Sequence, residues 1–154
     1  MNRIVSKEHF SPHVVKLEVE APLIARSRRA GHFVIVRVGE KGERIPLTIA
    51  SSDTSRGTIT LVVQAVGRSS KKLCALNEGD FVTDVVGPLG QATHIERVGT
   101  VVCAGGGVGV APLLPIVEAF HKAGNRVIVV LAARTKDLII LEDRMRASSD
   151  EVII

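Results

Sequence analysis

Aromatic side chains are scarce in this sequence of 154 residues: they make up 3% of it, and Trp and Tyr are absent. The core must therefore be built mainly from Val, Ile, Leu and Ala, because apolar residues still account for 45% of the chain. That apolar share is typical of a globular protein and argues against intrinsic disorder. Any stacking of flat ring systems on the protein would have to rely on few side-chain rings.

Cysteine and long apolar runs are also rare. Cys74 and Cys103 are the two cysteines, and they lie too far apart for a metal-binding pair. Cys103 lies in an apolar run, where a buried reduced thiol is ordinary. The N-terminus lacks the apolar segment of a signal peptide, and no run approaches the roughly 20 residues that span a membrane. We therefore expect no metal site, no membrane segment and a reducing, cytoplasmic location.

The charged residues are not concentrated in one stretch. The net charge is +4, and the basic residues occur in short pieces such as Arg26–Arg29 and Lys71-Lys72. Nucleic-acid-binding proteins usually concentrate such residues and interleave them with aromatics, so we expect no nucleic-acid partner. Moderate basicity also suits a protein that holds phosphate-bearing cofactors.

The first part of the chain is predicted to be antiparallel β structure. β-Branched, partly alternating runs separated by turns predict a small barrel or sandwich, with strands over Val14–Val19, His32–Val38, Arg44–Ala50, Thr58–Val66 and Phe81–Val86. Pro46 cannot donate a ladder hydrogen bond, which predicts an edge or an irregular position. A short helix with a Ser cap is expected in Gly67–Leu73, with free N–H groups directed outward at Ser69 and Ser70.

After about residue 98 the pattern changes to alternating buried strands and helices. The expected order is β-α-β-α-β, which implies a parallel sheet, over Thr100–Ala104, Ala111–Ala123, Arg126–Ala133, Leu138–Ala147 and Glu151–Ile154. We expect a barrel domain over residues 1–97 and a nucleotide-binding α/β domain over 98–154. Because the third strand has barely begun at Ile154, we interpret the chain as a piece of a longer protein with a truncated second domain.

Glycines between the first of these strands and its helix predict a phosphate site. In Ala104–Pro112, AGGGVGVAP, the missing side chains let backbone N–H groups approach a pyrophosphate at a helix N-terminus. A G-x-G-x-x-G pattern can be laid on Gly105, Gly107 and position 110, where Val110 replaces the last glycine. The alternative is that the glycines only permit a tight turn. A P-loop is disfavoured because no Gly-Lys-Ser/Thr follows.

The second parallel strand ends in Arg134, Thr135 and Lys136 rather than in an acidic residue. Cations at this place favour the 2′-phosphate of NADP over the free ribose hydroxyl of NAD. Alternatively, Arg134 and Lys136 are solvated residues at a strand end, and NAD remains open.

Four motifs in a fixed order carry a resemblance that covers nearly the whole chain: Arg44–Thr48 (RIPLT), Gly67–Ser70 (GRSS), Gly87–Gly90 (GPLG) and Ala104–Pro112. The set resembles the ferredoxin–NADP reductase superfamily. Within it, the sequence resembles the electron-transfer subunits of dihydroorotate dehydrogenases and, more closely still, the FAD-bearing small subunits of NADH-dependent reduced-ferredoxin:NADP oxidoreductases, also called sulfide dehydrogenases. The resemblance implies an FAD-binding barrel followed by an NAD(P)-binding domain, with Gly87–Gly90 as the loop that joins them.

The resemblance also implies the site residues. Arg44 would pair with the FAD pyrophosphate, and Thr48 would be the catalytic residue, hydrogen-bonding near the flavin N5. Pro46 stands where many relatives have a ring-stacking Tyr. The implied FAD contacts are Arg44, Ile45, Pro46, Leu47, Thr48, Val62, Gln64, Gly67, Ser69 and Ser70. The implied NADP(H) or NAD(H) contacts are Gly105, Gly106, Gly107, Val108, Gly109, Ala111, Pro112, Arg134 and Thr135.

The function implied is that of a flavoprotein oxidoreductase module, which passes electrons between NAD(P)H and an iron–sulfur partner through FAD. The partner would be a larger flavin and iron–sulfur subunit or a ferredoxin. A [2Fe–2S] cluster is expected only in a full-length parent, since members of this subgroup hold it with a C-terminal cysteine group that this sequence lacks. The alternative is a regulatory or ligand-binding module on the same fold, without catalysis.

Overall fold

The computed structural model describes all residues, Met1–Ile154. Its elements follow in the order β1 Asn2–Ser11, β2 Val14–Glu20, α1 Pro22–Ser27, β3 Phe33–Arg37, β4 Ile45–Thr48, β5 Ser51–Asp53, β6 Thr58–Gln64, α2 Arg68–Ala75, β7 Phe81–Val82, β8 Asp84–Leu89, β9 Thr100–Gly106, α3 Val110–Lys122, β10 Arg126–Ala132, α4 Glu142–Ala147 and β11 Glu151–Ile153. Short 3₁₀ turns occupy Gly107–Gly109 and Lys136–Leu138.

Two antiparallel sheets form the N-terminal barrel. One has the strand order β5-β6-β2-β1-β7 and the other the order β4-β3-β8. β4 pairs only with β3, so Pro46 lies on an edge strand, as the missing N–H of proline requires. The alternation of β2 and β3 buries every second side chain in one cluster of 15 residues, which includes Leu17, Val34 and Leu61.

The C-terminal part is a three-stranded parallel sheet with the order β11-β10-β9. Its first strand pairs with the second in register from Thr100↔Arg126 to Gly106↔Ala132. A second cluster of 12 buried residues joins this sheet to α3, and it also contains Ala50 and Val62 from the barrel. The predicted fold class, an antiparallel barrel followed by a parallel α/β sheet, is confirmed. No helix is long and apolar enough to cross a membrane.

Three local expectations were wrong. Gly87–Gly90 is not a joining loop, because Gly87, Pro88 and Leu89 belong to β8, which pairs with β3. A side chain at Gly87 would place its Cβ 2.8 Å from Val34 Cγ1, so glycine permits this close strand contact. The second helix of the α/β part begins at Glu142 rather than at residue 138, because a 3₁₀ turn covers Lys136–Leu138 and Leu141 takes a φ of 58°.

The third correction concerns the cap of α2. Gly67, not a serine, is the N-cap residue of this helix. Ser70 is the third helical residue, and its Oγ accepts hydrogen bonds from the N–H groups of Val66 at 3.0 Å and Gly67 at 2.9 Å. The serine side chain therefore reaches back to stabilise the turn before the helix, as in a capping box.

Candidate functional site

A cleft of about 480 Å³ lies where the barrel meets α3, and we call it the barrel cleft. Four segments form its walls: β4 with a residue before it, the end of β6, the turn into α2, and the turn into α3 with its first residues. Thirteen residues of the predicted site line it, namely Ile45, Pro46, Leu47, Thr48, Val62, Gln64, Gly67, Ser69, Ser70, Val108, Gly109, Ala111 and Pro112. The fold thus brings together motifs that are separated by up to 67 positions in the chain.

The start of α2 offers hydrogen-bond donors to the barrel cleft. The first intrahelical bond runs from the Lys71 N–H to the Gly67 carbonyl at 2.9 Å. The N–H groups of Ser69 and Ser70 come before it, so the helix itself cannot satisfy them. Such N–H groups at a helix start favour an anion, which fits the diphosphate expected from the resemblance.

Charged side chains also border this cleft. Glu43 lines it, and its Oε2 accepts a hydrogen bond of 2.8 Å from Ser69 Oγ. Arg68 lines it as well. Neither residue was predicted, although both lie inside or next to the RIPLT and GRSS motifs, and that adjacency is the signal that could have found them.

Arg44 does not line the barrel cleft. Its Nη2 lies 3.7 Å from Asp84 Oδ2, and its side chain is 63% exposed. Asp84 also accepts a hydrogen bond of 2.6 Å from Arg37 Nε. That hydrogen bond, followed by the charges of Arg37 and Arg44, lowers the pKa of the Asp84 carboxyl below its ordinary value. The role of Arg44 as a pyrophosphate ligand remains a prediction, for which its side chain must turn from Asp84 toward the cleft.

A second cleft of about 630 Å³ lies at the carboxyl ends of β9 and β10, and we call it the strand-end cleft. Of the predicted nucleotide residues, Gly106, Gly107, Val108 and Arg134 line it. Ligands of open α/β sheets bind at such strand ends. Ser11 at the end of β1 and His13 in the turn that follows form part of its wall. No local sequence pattern predicts a role for these two residues, because only the tertiary fold brings them to this cleft.

Two predicted nucleotide residues line neither cleft. Gly105 faces α3, where a Cβ would come within 2.9 Å of Leu113 Cδ2, so its glycine permits close packing of the helix on the strand. Thr135 is the residue just before the 3₁₀ turn at Lys136. Gly109, Ala111 and Pro112 were predicted for the nucleotide, but they line the barrel cleft only.

The two clefts are neighbours. Gln64 at the end of β6 and Val108 in the turn before α3 line both of them. Two ligands bound in these clefts would therefore lie on either side of the same two side chains.

The two cysteines lie apart from both clefts. Cys74 packs beside the barrel core, and Cys103 is buried in the α/β core. Burial raises the pKa of each thiol above its ordinary value. The structure contains no group of three or more His, Cys, Asp or Glu residues placed to hold a metal ion.

Comparison with known proteins assigns the family. The profile of the family described as "Oxidoreductase FAD-binding domain" matches residues 2–94. The chain is 42% identical, over all of its 154 residues, to a dihydroorotate dehydrogenase B (NAD(+)) electron transfer subunit homolog of Thermotoga maritima, of which it covers 55%. The chain spans about half the length of the curated relatives it matches.

Solved structures agree with this assignment. A structure of an NADH-dependent reduced ferredoxin–NADP oxidoreductase, studied for flavin-based electron bifurcation, superposes with a TM-score of 0.96 at 42% identity, over 99% of this chain and 56% of that one. Phthalate dioxygenase reductase shares the fold, with a TM-score of 0.78 at 21% identity, over 98% of this chain and 50% of that one. The chain therefore belongs to the oxidoreductase FAD-binding domain family, within the ferredoxin–NADP reductase superfamily.

Proposed function

We propose that the chain is a flavoprotein reductase module that binds FAD in the barrel cleft and a pyridine nucleotide in the strand-end cleft. Support comes first from the family, whose profile is that of an FAD-binding domain. The single observation that carries the rest is that Gln64 and Val108 line both clefts. Electron transfer between two cofactors needs them to be neighbours, and shared walls meet that need.

The diphosphate of FAD would lie at the start of α2. Gly67 allows close backbone approach, and the N–H groups of Ser69 and Ser70 would donate to phosphate oxygens. Arg44 would add a guanidinium, which suits phosphate because it donates two parallel hydrogen bonds. These N–H donors and the Arg44 guanidinium would have to offset the repulsion between the diphosphate and Glu43, whose carboxylate borders the same cleft.

The ring end of FAD would lie against β4. Pro46 and Leu47 would give an apolar wall, which replaces the ring stacking that an aromatic residue provides elsewhere. Thr48 would donate or accept a hydrogen bond at the reactive edge of the ring and so orient it. Bound FAD would supply the redox chemistry, which is acceptance of a hydride (two electrons with one proton) from NAD(P)H and release of the two electrons one at a time to an iron–sulfur partner. This chain supplies binding and orientation for that chemistry.

The nucleotide would be held by the glycine turn after β9 and by the end of β10. Gly106 and Gly107 leave the backbone open to a pyrophosphate. Arg134 would contact a 2′-phosphate, which favours NADP(H) over NAD(H). We also propose a division into residues 1–97 for FAD and 98–154 for the nucleotide.

The partner would be an iron–sulfur protein, either a larger subunit or a ferredoxin. This is supported by the relatives: one is an electron transfer subunit homolog, and another belongs to a reduced ferredoxin–NADP oxidoreductase. The [2Fe–2S] cluster is proposed for a longer parent protein, and the two cysteines of this chain have no part in it.

The test is anaerobic reduction of the FAD-loaded protein. Mixing with NADPH or NADH should bleach the flavin absorbance near 450 nm, about one flavin per nucleotide. Arg44→Ala should weaken FAD retention, whereas Arg56→Ala, at a comparably exposed arginine that pairs with Glu18, should not. Absence of bleaching with both nucleotides in a flavin-loaded sample would reject reductase activity of residues 1–154 and leave a flavin-binding module.

A further inference from the structure

A third cleft, of about 790 Å³, lies between the barrel and α3, and we call it the basic cleft. Four segments form its walls: the end of α1 with the following loop, β5 with the residue after it, the segment 91–95 between the barrel and β9, and α3 from Pro115 onward. A hydrogen bond connects segment 91–95 to the loop after α1, since the Thr93 N–H donates to the Ala30 carbonyl at 2.9 Å. None of the lining residues belongs to the barrel cleft or the strand-end cleft.

The charges on these walls are almost all of one sign. Arg26, Arg28, Arg29 and Lys122 line the basic cleft, whereas Glu118 is its only carboxylate. Glu118 Oε1 already accepts a hydrogen bond of 2.7 Å from Arg144 Nη2. Since Glu118 is paired with a cation that does not line the cleft, it leaves the four lining cations without a carboxylate of their own.

Arg28 is the clearest case of a cation in this cleft that has no carboxylate partner. It is half-buried, its Nε donates to Ser52 Oγ at 2.7 Å, and no carboxylate oxygen lies within 4.0 Å of its guanidinium. The Nη1 and Nη2 groups of the guanidinium make no hydrogen bond to the protein. Burial lowers the pKa of this guanidinium, while the charge of Glu118 opposes the effect. A partly buried cation without a counterion is unfavourable unless a ligand supplies the negative charge.

We propose that the basic cleft binds a small phosphate-bearing anion, with Arg28 as its central ligand. The planar guanidinium matches two phosphate oxygens, and the neighbouring exposed cations add to the attraction. Hydroxyls of Ser52, Thr54 and Thr93 line the same cleft and can complete the shell. Its volume is within the range of small-molecule sites, and no Phe, Tyr or Trp side chain lines it; the exposed imidazole of His94 is the only ring there.

Because one wall belongs to the barrel and another to α3, the bound anion would bridge the two parts of the chain. This makes the site a candidate effector site, separate from the flavin and nucleotide chemistry. The anion would also order segment 91–95, which connects the two parts. Protection of the Thr93 N–H from hydrogen exchange should therefore increase when the anion is bound.

The test is calorimetric titration of the protein with inorganic pyrophosphate, with excess FAD present to occupy the barrel cleft. Arg28→Gln should weaken binding about tenfold or more, because it removes a charge-assisted contact. Glu118→Gln should strengthen binding, because it removes the only carboxylate of the cleft. The control Arg146→Gln makes the same charge change as Arg28→Gln at a residue paired with Glu142 and outside all three clefts, and it should change affinity less than twofold.

Equal weakening by Arg28→Gln and Arg146→Gln would overturn the proposal, because it would indicate only long-range charge attraction. So would the loss of binding in Arg134→Gln with retention in Arg28→Gln, since the anion would then be in the strand-end cleft. Should Arg28→Gln not fold, the exposed pair Arg29→Gln and Lys122→Gln replaces it, and the same loss is expected. A titration without saturable heat would also reject the site.

Discussion

Ser69 Oγ donates a hydrogen bond of 2.8 Å to Glu43 Oε2, so a carboxylate lies at the place proposed for the FAD diphosphate. The Glu43 carboxylate lies beside the Ser69 hydroxyl and the free N–H groups at the start of α2, which is the position that an anionic ligand would take. FAD must either break the hydrogen bond between Ser69 and Glu43 or bind beside the negative charge of Glu43. Both lower the affinity of the chain for FAD.

Glu43→Gln is therefore expected to strengthen FAD binding. Removing a like charge a few ångströms from a diphosphate changes the interaction by about 1 kcal/mol in water, which is roughly fivefold in affinity. Quenching of flavin fluorescence measures the dissociation constant. Glu40→Gln, in the same loop but outside the barrel cleft, is the matched control and should leave it unchanged. Weaker binding by Glu43→Gln would mean that Glu43 contacts FAD favourably.

Substituting the two serines of the GRSS motif one at a time should distinguish an effect on the stability of the fold from an effect on FAD affinity. Ser70→Ala removes the acceptor of the Val66 and Gly67 N–H groups, so it should lower the free energy of unfolding by about 1 kcal/mol as well as FAD affinity. Ser69→Ala should lower FAD affinity with stability within about 0.5 kcal/mol of the wild type. Urea denaturation and flavin titration of both variants give the two quantities. Equal stability of the two variants would contradict the role assigned to Ser70.

Arg134 is expected to set the preference for the phosphorylated nucleotide. Arg134→Gln should weaken NADP⁺ about tenfold or more and NAD⁺ little, because only NADP⁺ offers the 2′-phosphate. Lys136→Gln is the control, since Lys136 is the nearby cation that does not line the strand-end cleft. Competition titrations with both nucleotides measure the ratio. A similar loss for NADP⁺ and NAD⁺ would assign Arg134 to the shared pyrophosphate instead.

Asp84 gives a pH-dependent contribution to stability. The hydrogen bond from Arg37 lowers the pKa of Asp84 in the folded chain, so its ionised form stabilises the fold above the ordinary Asp pKa of about 4. The stabilisation is lost as pH falls through the lowered pKa. Asp84→Asn should therefore be less stable than the wild type at pH 7, with the difference shrinking in acid. Denaturation curves measured across this range test it, and a pH-independent difference would refute it.

Strong local sequence patterns predicted most strands and α3. The weak patterns of β1 and α1 did not predict these two elements. β1 was missed because Asn2–Ser11 mixes Arg, Lys, Glu and His with few apolar residues; only Ile4 is fully buried, and pairing with β2 and β7 defines the strand. α1 was missed because six residues beginning with Pro22 show little periodicity. Both elements depend on tertiary contacts that a sequence window does not contain.

Site residues were predicted where a local motif places their backbone at the site. They were missed where only the tertiary fold brings a side chain to the site. Gly67, which the resemblance implies as an FAD contact, lines the barrel cleft, whereas Gly109, which was predicted as a nucleotide contact, lines the barrel cleft and not the strand-end cleft. His13 reaches the strand-end cleft from a hairpin more than 90 positions before Gly106, and no spacing predicts that. Arg44 was assigned by resemblance, whereas its contact with Asp84 depends on β8 lying beside β3.

The central claim is that FAD binds in the barrel cleft, and two glycines allow a direct test. A Cβ at Gly109 would meet no heavy atom within 4 Å, and one at Gly106 would meet only ordinary contacts, the nearest at 3.5 Å from the Ala132 carbonyl oxygen. Gly109 lines the barrel cleft alone and Gly106 the strand-end cleft alone. A larger side chain at either position should therefore narrow one cleft and leave the fold intact.

The measurement is an equilibrium titration with FAD of the wild type, Gly109→Leu and Gly106→Leu, followed by flavin fluorescence. One FAD should bind per wild-type chain, with affinity at least about tenfold weaker in Gly109→Leu and unchanged in Gly106→Leu. A wild-type chain that binds no FAD, or a Gly109→Leu chain that binds it as tightly as the wild type, would contradict the account.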